Sequence, residues 1–216
     1  MKIAIPIFDR VTALDAVGPY EVLSRLPGAE LKFVGFEPGP VKTDNGMLSL
    51  NVEVALEDYA EPDVLVFPGG FGTRPLMGNP RMLDWVRSVN EGTEWTTSVC
   101  TGSLVLGAAG LLVGLEATTH WAAMNVLEGL GATPTSRRVV EQGKIVTAAG
   151  VSAGIDMALM LAGRIAGDDV AQAIQLGIEY DPQPPYDSGS PDKAPPHIVR
   201  IVRGLEIAQE DQPAAV

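Results

Sequence analysis

The stretch that decides the fold is Trp95-Thr-Thr-Ser-Val-Cys100-Thr-Gly-Ser-Leu-Val-Leu-Gly-Ala-Ala-Gly110. Its first five residues, Trp95 to Val99, form a short segment of mostly aromatic and β-branched residues, which is typical of a strand. From Thr101 to Leu112 nearly every position is apolar, which predicts a helix buried on all sides. Cys100, the only cysteine of the chain, therefore lies at a sharp turn from strand to helix.

A thiol at this turn occupies the position of a nucleophile. The small residues Ser98 and Gly102 stand two positions away on either side, as a tight nucleophile elbow requires. The first N–H groups of the helix face the turn, and their partial positive charge favours a thiolate over a thiol. The competing interpretation is a small buried hydrophobic residue, a common fate of a free cysteine. The elbow favours the nucleophile.

Length and composition indicate one globular domain. A chain of 216 residues can bury a large core, and we expect a single domain that spans residues 1–216. A hydrophobic fraction of 46% with 19% charged residues is typical of a compact protein. The longest apolar run is too short to span a bilayer.

Charge and cysteine usage exclude several classes of partner. The formal net charge of −12 disfavours nucleic acids and anionic membranes, which require clustered Lys and Arg. One cysteine permits no intramolecular disulfide, and the first residues enter a strand without the layout of a signal peptide, so we expect a cytoplasmic protein. His120 and His197, the two histidines, show no spacing of metal ligands relative to Cys100, so we expect no metal.

Strand and helix patterns alternate along the chain, which predicts an α/β fold with a mostly parallel sheet covered on both faces. Strands are predicted at 2–8, 31–36, 64–67 and 95–99, and hairpins at 41–54 and 137–148. Helices are predicted at 14–26, 80–89, 101–112, 122–130, 153–166 and 168–179. Residues 180–197 hold six of the seventeen prolines, which predicts an extended surface arm, and residues 198–210 predict a last amphipathic helix.

Ligands of such sheets bind outside the carboxyl ends of the strands, where two predicted loops meet. One is the elbow; the other is Pro68-Gly69-Gly70-Phe71-Gly72, which follows a strand and carries bare backbone N–H groups. The N–H groups of Gly70 and Thr101 are candidates to stabilise the charge that develops when a thiolate attacks an unsaturated carbon. Taken alone, Gly69-Gly70 is an ordinary turn.

Asp15 is the candidate acid and base. The sequence Leu14-Asp15-Ala16-Val17-Gly18-Pro19 places its carboxyl at the entry to the first helix, on the same rim as Cys100. The structural alternative is a helix N-cap. A carboxyl beside a thiolate would be desolvated and opposed by like charge, so we expect its pKa to rise. It could then donate a proton and later accept one from water.

Other side chains are candidates for the pocket, each with a structural alternative. Thr101 carries a hydroxyl beside the nucleophile, but it is also a good first residue of a helix. His120 could pair with Cys100 or be a structural residue at a helix start, and Glu21 is read as a solvated side chain. The aromatic candidates for the wall of a small apolar pocket, although aromatic residues more often lie in the core, are Phe71, Trp121, Tyr180 and Tyr186.

These residues together resemble the ThiJ/PfpI superfamily, on the elbow of Cys100, the turn Phe67-Pro68-Gly69-Gly70 and the helix entry Leu14-Asp15-x-x-Gly18-Pro19. Within it, the chain is similar to the isocyanide hydratase group over roughly its whole length. The strings that carry this likeness are Gly18-Pro19-x-Glu21-Val22, Ser98-Val99-Cys100-Thr101-Gly102, Thr118-Thr119-His120-Trp121 and Ile178-Glu-Tyr-Asp-Pro-Gln-Pro-Pro-Tyr-Asp-Ser-Gly-Ser-Pro191.

The resemblance implies a flavodoxin-like three-layer sandwich of the class I glutamine amidotransferase-like type. It also implies a homodimeric enzyme without a cofactor that hydrates an isocyanide, R–NC, to the N-substituted formamide through a covalent thioimidate. Carried onto this chain, Cys100 is the nucleophile and Asp15 its acid/base partner, with Thr101 beside the thiol.

Other branches of the superfamily fit less well. Protease-like members carry His directly after the nucleophile, where this chain has Thr101, and class I glutamine amidotransferases need a late His-x-Glu pair that His197-Ile198-Val199 does not supply. Regulators of the AraC type append a helix-turn-helix domain, for which we expect no room after the arm.

Two alternatives remain open. The first is glyoxalase or deglycase chemistry, in which the same thiolate adds to a dicarbonyl. The second is a non-catalytic redox or stress sensor, in which Cys100 is oxidised.

Overall fold

A sheet of seven strands forms the centre of the computed structural model. The structure describes residues 1–210 and the side chains of residues 1–205. The end of the expected domain, residues 211–216, lies outside this range. The strands are β1 (Lys2–Pro6), β2 (Glu30–Gly35), β3 (Gly39–Lys42), β4 (Ser49–Val52), β5 (Val54–Ala55), β6 (Val64–Phe67), β7 (Trp95–Val99), β8 (Glu116–Ala117), β9 (Thr133–Pro134), β10 (Val139–Gln142) and β11 (Ile145–Ala148). The helices are α1 (Ala13–Leu23), α2 (Thr73–Leu76), α3 (Pro80–Gly92), α4 (Gly102–Ala108), α5 (Met124–Gly129), α6 (Ala153–Ala166), α7 (Asp168–Gly177) and α8 (Pro196–Glu210), with short 3₁₀ helices at Leu56–Tyr59 and Trp121–Ala123.

The strands of the central sheet stand in the order β10-β11-β7-β6-β1-β2-β5. All neighbours run parallel except the edge pair β10 and β11. Strand β6 is buried at every position, which is why its sequence, Val64-Leu-Val-Phe67, is continuously apolar. The predicted α/β fold with a mostly parallel sheet is confirmed.

Helices cover both faces of the sheet. Helices α1, α6 and α7 pack together on one face, where α1 contacts β6 and α6 contacts β7. On the other face, α2, α3 and α5 pack around α4, which lies against β7. The result is a sandwich of three layers.

The topology sets the place of a ligand site. From β1 the chain moves outward to β2 and β5, then returns to the other side of β1 with β6 and continues to β7 and β11. The direction of winding therefore reverses between β1 and β6. Loops diverge at such a point, and the crevice between them is where open α/β sheets bind ligands.

Several element boundaries differ from the sequence predictions. Strand β1 ends at Pro6 rather than at 8, and helix α1 ends at Leu23 rather than at 26. Helix α4 ends at Ala108 rather than Leu112, because the following segment turns through Gly110, whose φ is 86°. Helix α7 ends at Gly177 instead of 179. The predicted hairpin at 41–54 forms as the antiparallel pair β3 and β4, but it is a separate small sheet beside the main one.

Residues 180–195 contain turns and bends without a helix or strand, and they lead into α8. Most of their side chains are exposed. Of the helices in the described chain, none combines the length and the apolar character needed to cross a membrane.

Candidate active site

The backbone of Cys100 is held in a left-handed conformation, with a φ of 54°. This costs a residue other than glycine roughly 1–2 kcal/mol. The Cys100 N–H donates to the carbonyl oxygens of Ala148 and Ala149, at 3.1 and 3.0 Å. The Cys100 carbonyl accepts from the hydroxyls of Ser103 and Thr119, at 3.1 and 3.0 Å. These four bonds fix the strained elbow.

The elbow also needs a glycine two positions on. A Cβ atom added to Gly102 would lie 2.1 Å from the carbonyl oxygen of Phe67, well inside van der Waals contact. The start of α4 therefore packs directly on the end of β6. This close approach brings the Cys100 turn and the Gly69-Gly70 turn together, as the sequence predicts.

Asp15 lies beneath this junction and is completely buried. It is the third residue of α1, whose N-cap position is Thr12, so Asp15 is not the N-cap. Its Oδ2 accepts a hydrogen bond of 2.9 Å from the N–H of Gly69. Its Oδ1 has no hydrogen-bond partner in the described part of the chain, while the carboxyl interacts with the Cys100 thiol. Asp15 and Cys100 are thus brought together, as predicted.

Burial raises the pKa of Asp15 to about 7, against the lowering effect of the Gly69 N–H and the thiol. The charge of Asp44 raises it further. The expected rise in the Asp15 pKa is borne out through burial, but the like charge that adds to it comes from Asp44 rather than from the Cys100 sulfur.

Burial raises the pKa of the Cys100 thiol well above its usual range, and the negative charge of Asp15 adds to this. The backbone N–H groups of Val151 and Thr101 donate toward the sulfur and lower the pKa, but by less. Burial therefore opposes the resting thiolate that the sequence predicts at the start of the short α4 helix, and that thiolate stays a prediction. Asp15 and Cys100 form one buried, coupled pair in which burial disfavours the charged form of both groups.

Thr101 joins the two turns through a buried hydrogen-bond network. Its Oγ1 accepts from the N–H of Gly70 at 2.9 Å and also bonds the Gly70 carbonyl oxygen and the hydroxyl of Thr73, each at 3.2 Å. The Gly70 N–H is therefore engaged within the protein in this structure, and its role as an oxyanion donor stays a prediction. The Thr101 N–H points instead toward the sulfur.

A cavity of about 180 Å³ opens above the Cys100 sulfur. It is formed by loops that follow β1, β6, β7, β8 and β11 and by the turn of the β3–β4 hairpin. Its lining residues are Thr12, Asp44, Gly70, Phe71, Arg74, Cys100, Thr101, His120 and Val151.

Among the predicted candidates His120, Phe71, Trp121, Tyr180 and Tyr186, two lie on this lining, namely Phe71 and His120. The imidazole of His120 packs over Gly150, and its Nδ1 accepts a long bond of 3.4 Å from the N–H of Ala122. A catalytic role for His120 stays a prediction.

Trp121 and Tyr180 lie outside the cavity, contrary to expectation. The ring of Trp121 lies under the guanidinium of Arg203 from α8, at 5.4 Å. The Tyr180 hydroxyl donates to Asp156 at 2.8 Å, and the ring lines an outer groove between α1 and α6 that also contains Glu21. Tyr186 is 80% exposed. The positions of these aromatic side chains depend on tertiary packing and cannot be inferred from their distance to Cys100 along the sequence.

Four lining residues were missed by sequence reasoning: Thr12, Asp44, Arg74 and Val151. Asp44 lies in the turn of the hairpin predicted at 41–54. No local pattern shows that this turn packs against the rim of the central sheet. The sequence around Val151 does not mark it as a site residue. In the structure its φ is 32°, a strained value for a β-branched residue. Within the described residues, no group of three or more His, Cys, Asp or Glu side chains is arranged to hold a metal ion.

The amino-acid sequence is similar to a known protein family and to several characterised proteins. The model of the DJ-1/PfpI family matches residues 1–163. Isonitrile hydratase from Pseudomonas putida is 48% identical over 203 residues, which cover 94% of this chain and 89% of that protein. The HTH-type transcriptional regulator CdhR from Pseudomonas aeruginosa is 32% identical over 172 residues, covering 77% of this chain and 50% of the regulator.

Solved structures agree in fold. A ThiJ/PfpI family protein from Pseudomonas syringae superposes with a TM-score of 0.92 at 36% identity, covering 97% of this chain and 87% of that one. DJ-1beta from Drosophila melanogaster superposes with a TM-score of 0.76 at 21% identity, covering 84% and 98% of the two chains, which is a likeness of fold alone.

Proposed function

The chain belongs to the DJ-1/PfpI family, and from that premise we propose that it hydrates isocyanides to N-substituted formamides. The observation that carries the proposal is the 48% identity to an isonitrile hydratase over nearly the whole of both chains. The buried pair of Asp15 and Cys100 beneath a small cavity supports it, because hydration needs a nucleophile and a group that moves protons.

The first half of the reaction adds the thiol across the terminal carbon. The Asp15 carboxylate takes the proton of the Cys100 thiol as sulfur bonds to the isocyanide carbon. Asp15 then gives that proton to the same carbon, which leaves a thioimidate, R–N=CH–S–Cys100. The N–H groups of Thr101 and Val151 stabilise the negative charge on sulfur during the attack.

The second half adds water and releases the product. A water molecule oriented by Asp15 bonds to the carbon through oxygen, and the nitrogen gains a proton. Asp15 takes the proton of the new hydroxyl as the C–S bond breaks, and the formamide, R–NH–CHO, leaves. Asp15 returns this proton to the sulfur, which restores the starting state.

The test is formamide production from phenyl isocyanide. Cys100→Ala is expected to lose at least about 10³-fold in kcat, and Asp15→Asn about 10²- to 10⁴-fold. Glu37→Gln, which removes one exposed carboxylate from the loop before β3, is the matched control and should keep wild-type rates. Wild-type protein without turnover would remove the substrate assignment, and an active Cys100→Ala variant would remove covalent catalysis.

The same preparations separate the alternatives. Lactate formed from methylglyoxal, without formamide from isocyanides, would indicate glyoxalase chemistry. A peroxide-dependent mass increase confined to Cys100, without turnover of either substrate, would indicate a redox sensor.

A homodimer is part of the proposal. Its support is an exposed apolar stripe on α8, where Ile198, Ile201, Val202 and Leu205 are 37%, 56%, 36% and 60% exposed. Sedimentation equilibrium should give twice the chain mass of 22.7 kDa. A mass equal to one chain at micromolar concentration would contradict it.

A further inference from the structure

We propose that Asp44 is a further catalytic residue, whose carboxylate stabilises the positive charge that develops on the thioimidate nitrogen and so speeds release of the formamide. The inference rests on the proposed hydration reaction. In that reaction the substrate nitrogen gains a proton. No residue has yet been assigned to interact with this nitrogen.

The hairpin turn that carries Asp44 is joined firmly to the rim of the site. The Asp44 N–H donates to the carbonyl oxygen of Val11 at 3.0 Å, and the Arg10 N–H donates to that of Lys42 at 3.0 Å. The next residue of the same loop, Thr12, donates its N–H to the Gly69 carbonyl oxygen at 2.9 Å. The hairpin, the loop after β1 and the turn after β6 are therefore one connected scaffold.

The Asp44 carboxylate lines the cavity together with Cys100. Its Oδ2 accepts from the Thr12 hydroxyl at 2.8 Å, and its Oδ1 accepts from the N–H of Asn45 at 2.8 Å. Each carboxylate oxygen can accept a second bond. None of the ion pairs formed among the described side chains includes Asp44.

Charge at this position reaches the reacting groups. Asp44 acts through space on the Asp15 carboxyl and makes it harder to ionise. The other charged side chain of the lining, Arg74, stacks over Phe71 at 5.6 Å and donates to the Thr73 hydroxyl at 3.3 Å. The carboxylate next to Thr12 is thus the negative group of the cavity wall.

The chemistry of the second half of the reaction calls for such a group. Water supplies a hydroxyl that bonds to carbon and a proton that bonds to nitrogen, and the C=N double bond becomes a single bond. When water gives its proton to the nitrogen before its oxygen bonds to carbon, the intermediate is R–NH⁺=CH–S–Cys100 beside the hydroxide that then attacks it. This cation is a better electrophile than the neutral thioimidate. A carboxylate beside this N–H lowers the energy of the cation and accepts its hydrogen bond.

The test separates formation of the covalent intermediate from its hydrolysis. Asp44→Asn keeps the size of the side chain and an oxygen for the Thr12 hydroxyl, but removes the charge. After rapid mixing with phenyl isocyanide, the rate of adduct formation should stay within about 3-fold of wild type, while formamide release slows at least 10-fold. Intact mass should then show a variant loaded with one substrate molecule on Cys100.

Further variants keep the result decisive. Asp44→Ser retains a polar turn residue without charge and should accumulate the adduct in the same way, Asp44→Glu should restore part of the release rate, and Glu37→Gln should not accumulate it. Equal slowing of both steps in the uncharged variants would indicate a structural role and overturn the proposal, as would unchanged release. If the wild-type protein does not turn over phenyl isocyanide, the proposed hydration reaction itself is wrong. If the wild type turns over and Asp44→Asn releases formamide at the same rate, only the role of Asp44 is wrong.

Discussion

Asp15 carries an electrostatic cost when ionised, because its carboxyl has no contact with solvent. With a pKa of about 7 it is divided between acid and base at neutral pH, which suits a group that must both take and give a proton. Burial also disfavours the charged form of the Cys100 thiol above it, so the two groups titrate as one coupled pair. The reactivity of Cys100 therefore depends on the Asp15 carboxyl.

The pH profile of turnover follows from this division of roles. The attack requires ionised Asp15, so kcat/KM for phenyl isocyanide should rise with pH and level off above about 7. Initial rates between pH 5 and 9 test this. A flat profile across pH 7, or one that rises only near the usual pKa of a free cysteine, would show that the carboxylate does not take the thiol proton.

Stability should depend on the same carboxyl. In the unfolded chain Asp15 ionises near its usual pKa of 3.8, whereas in the folded chain it does so only near 7. Between these values the unfolded state releases a proton that the folded state keeps, so the free energy of unfolding falls as pH rises from about 4 to 7. At 1.36 kcal/mol per pKa unit, the full effect is about 4 kcal/mol.

Asp15→Asn removes this titration, so the variant should match wild type in denaturant unfolding at pH 4 and exceed its stability by up to about 4 kcal/mol at pH 8. Other titrating groups cancel in the difference between the two proteins. Asp58→Asn, at an exposed position, controls for the loss of charge. Curves for wild type and Asp15→Asn that stay parallel from pH 4 to 8 would contradict the buried-carboxyl argument.

At the scale of elements, the site depends on how α4 leaves β7. The elbow places Gly102 against Phe67 so closely that a methyl group would overlap the carbonyl oxygen at 2.1 Å. Both partners are backbone, so neither can rotate away. The junction of two neighbouring strands, rather than any single side chain, holds Cys100 over Asp15.

Gly102→Ala should therefore lower the free energy of unfolding by at least about 3 kcal/mol and abolish activity in whatever protein folds. Gly129→Ala is the matched control, since a Cβ there meets nothing within 4 Å and the residue has ordinary helical geometry. That variant should be neutral or slightly stabilising. Thermal melting of both compares them, and a Gly102→Ala variant with wild-type stability would show that the elbow can relax.

Local sequence patterns predict the elements better than their mutual placement. The strand predicted at 64–67, the helix predicted from Pro80 and the hairpin predicted at 137–148 depend on neighbouring residues. Each forms, the hairpin as β10 and β11. The Asn79 side chain accepts from the N–H of Met82, as an N-cap does. Asp44 and Val151 enter the site through tertiary packing, which no local pattern encodes. The burial that opposes a thiolate at Cys100 is likewise a property of the whole fold, which the local sequence does not encode.

At the scale of the whole molecule, the cavity forms where loops after five strands and the turn of the outer hairpin converge. Its volume of about 180 Å³ is comparable to an apolar cavity of about 150 Å³ that holds benzene. A substrate with one six-membered ring therefore fits above Cys100. Phe71 forms part of the wall, and its ring is held by Arg10 and Arg74 at 5.3 and 5.6 Å.

Selectivity by size follows from this shape. Phenyl isocyanide should exceed 1-naphthyl isocyanide at least about 10-fold in kcat/KM, because the second ring must displace wall atoms. Phe71→Ala enlarges the cavity and should narrow that ratio, mainly by raising the value for the larger substrate. Trp121→Ala removes an aromatic ring that lies outside the cavity, so its ratio should equal that of wild type. If instead Trp121→Ala narrows the ratio and Phe71→Ala does not, the substrate approaches Cys100 from the α8 side rather than through the cavity described here.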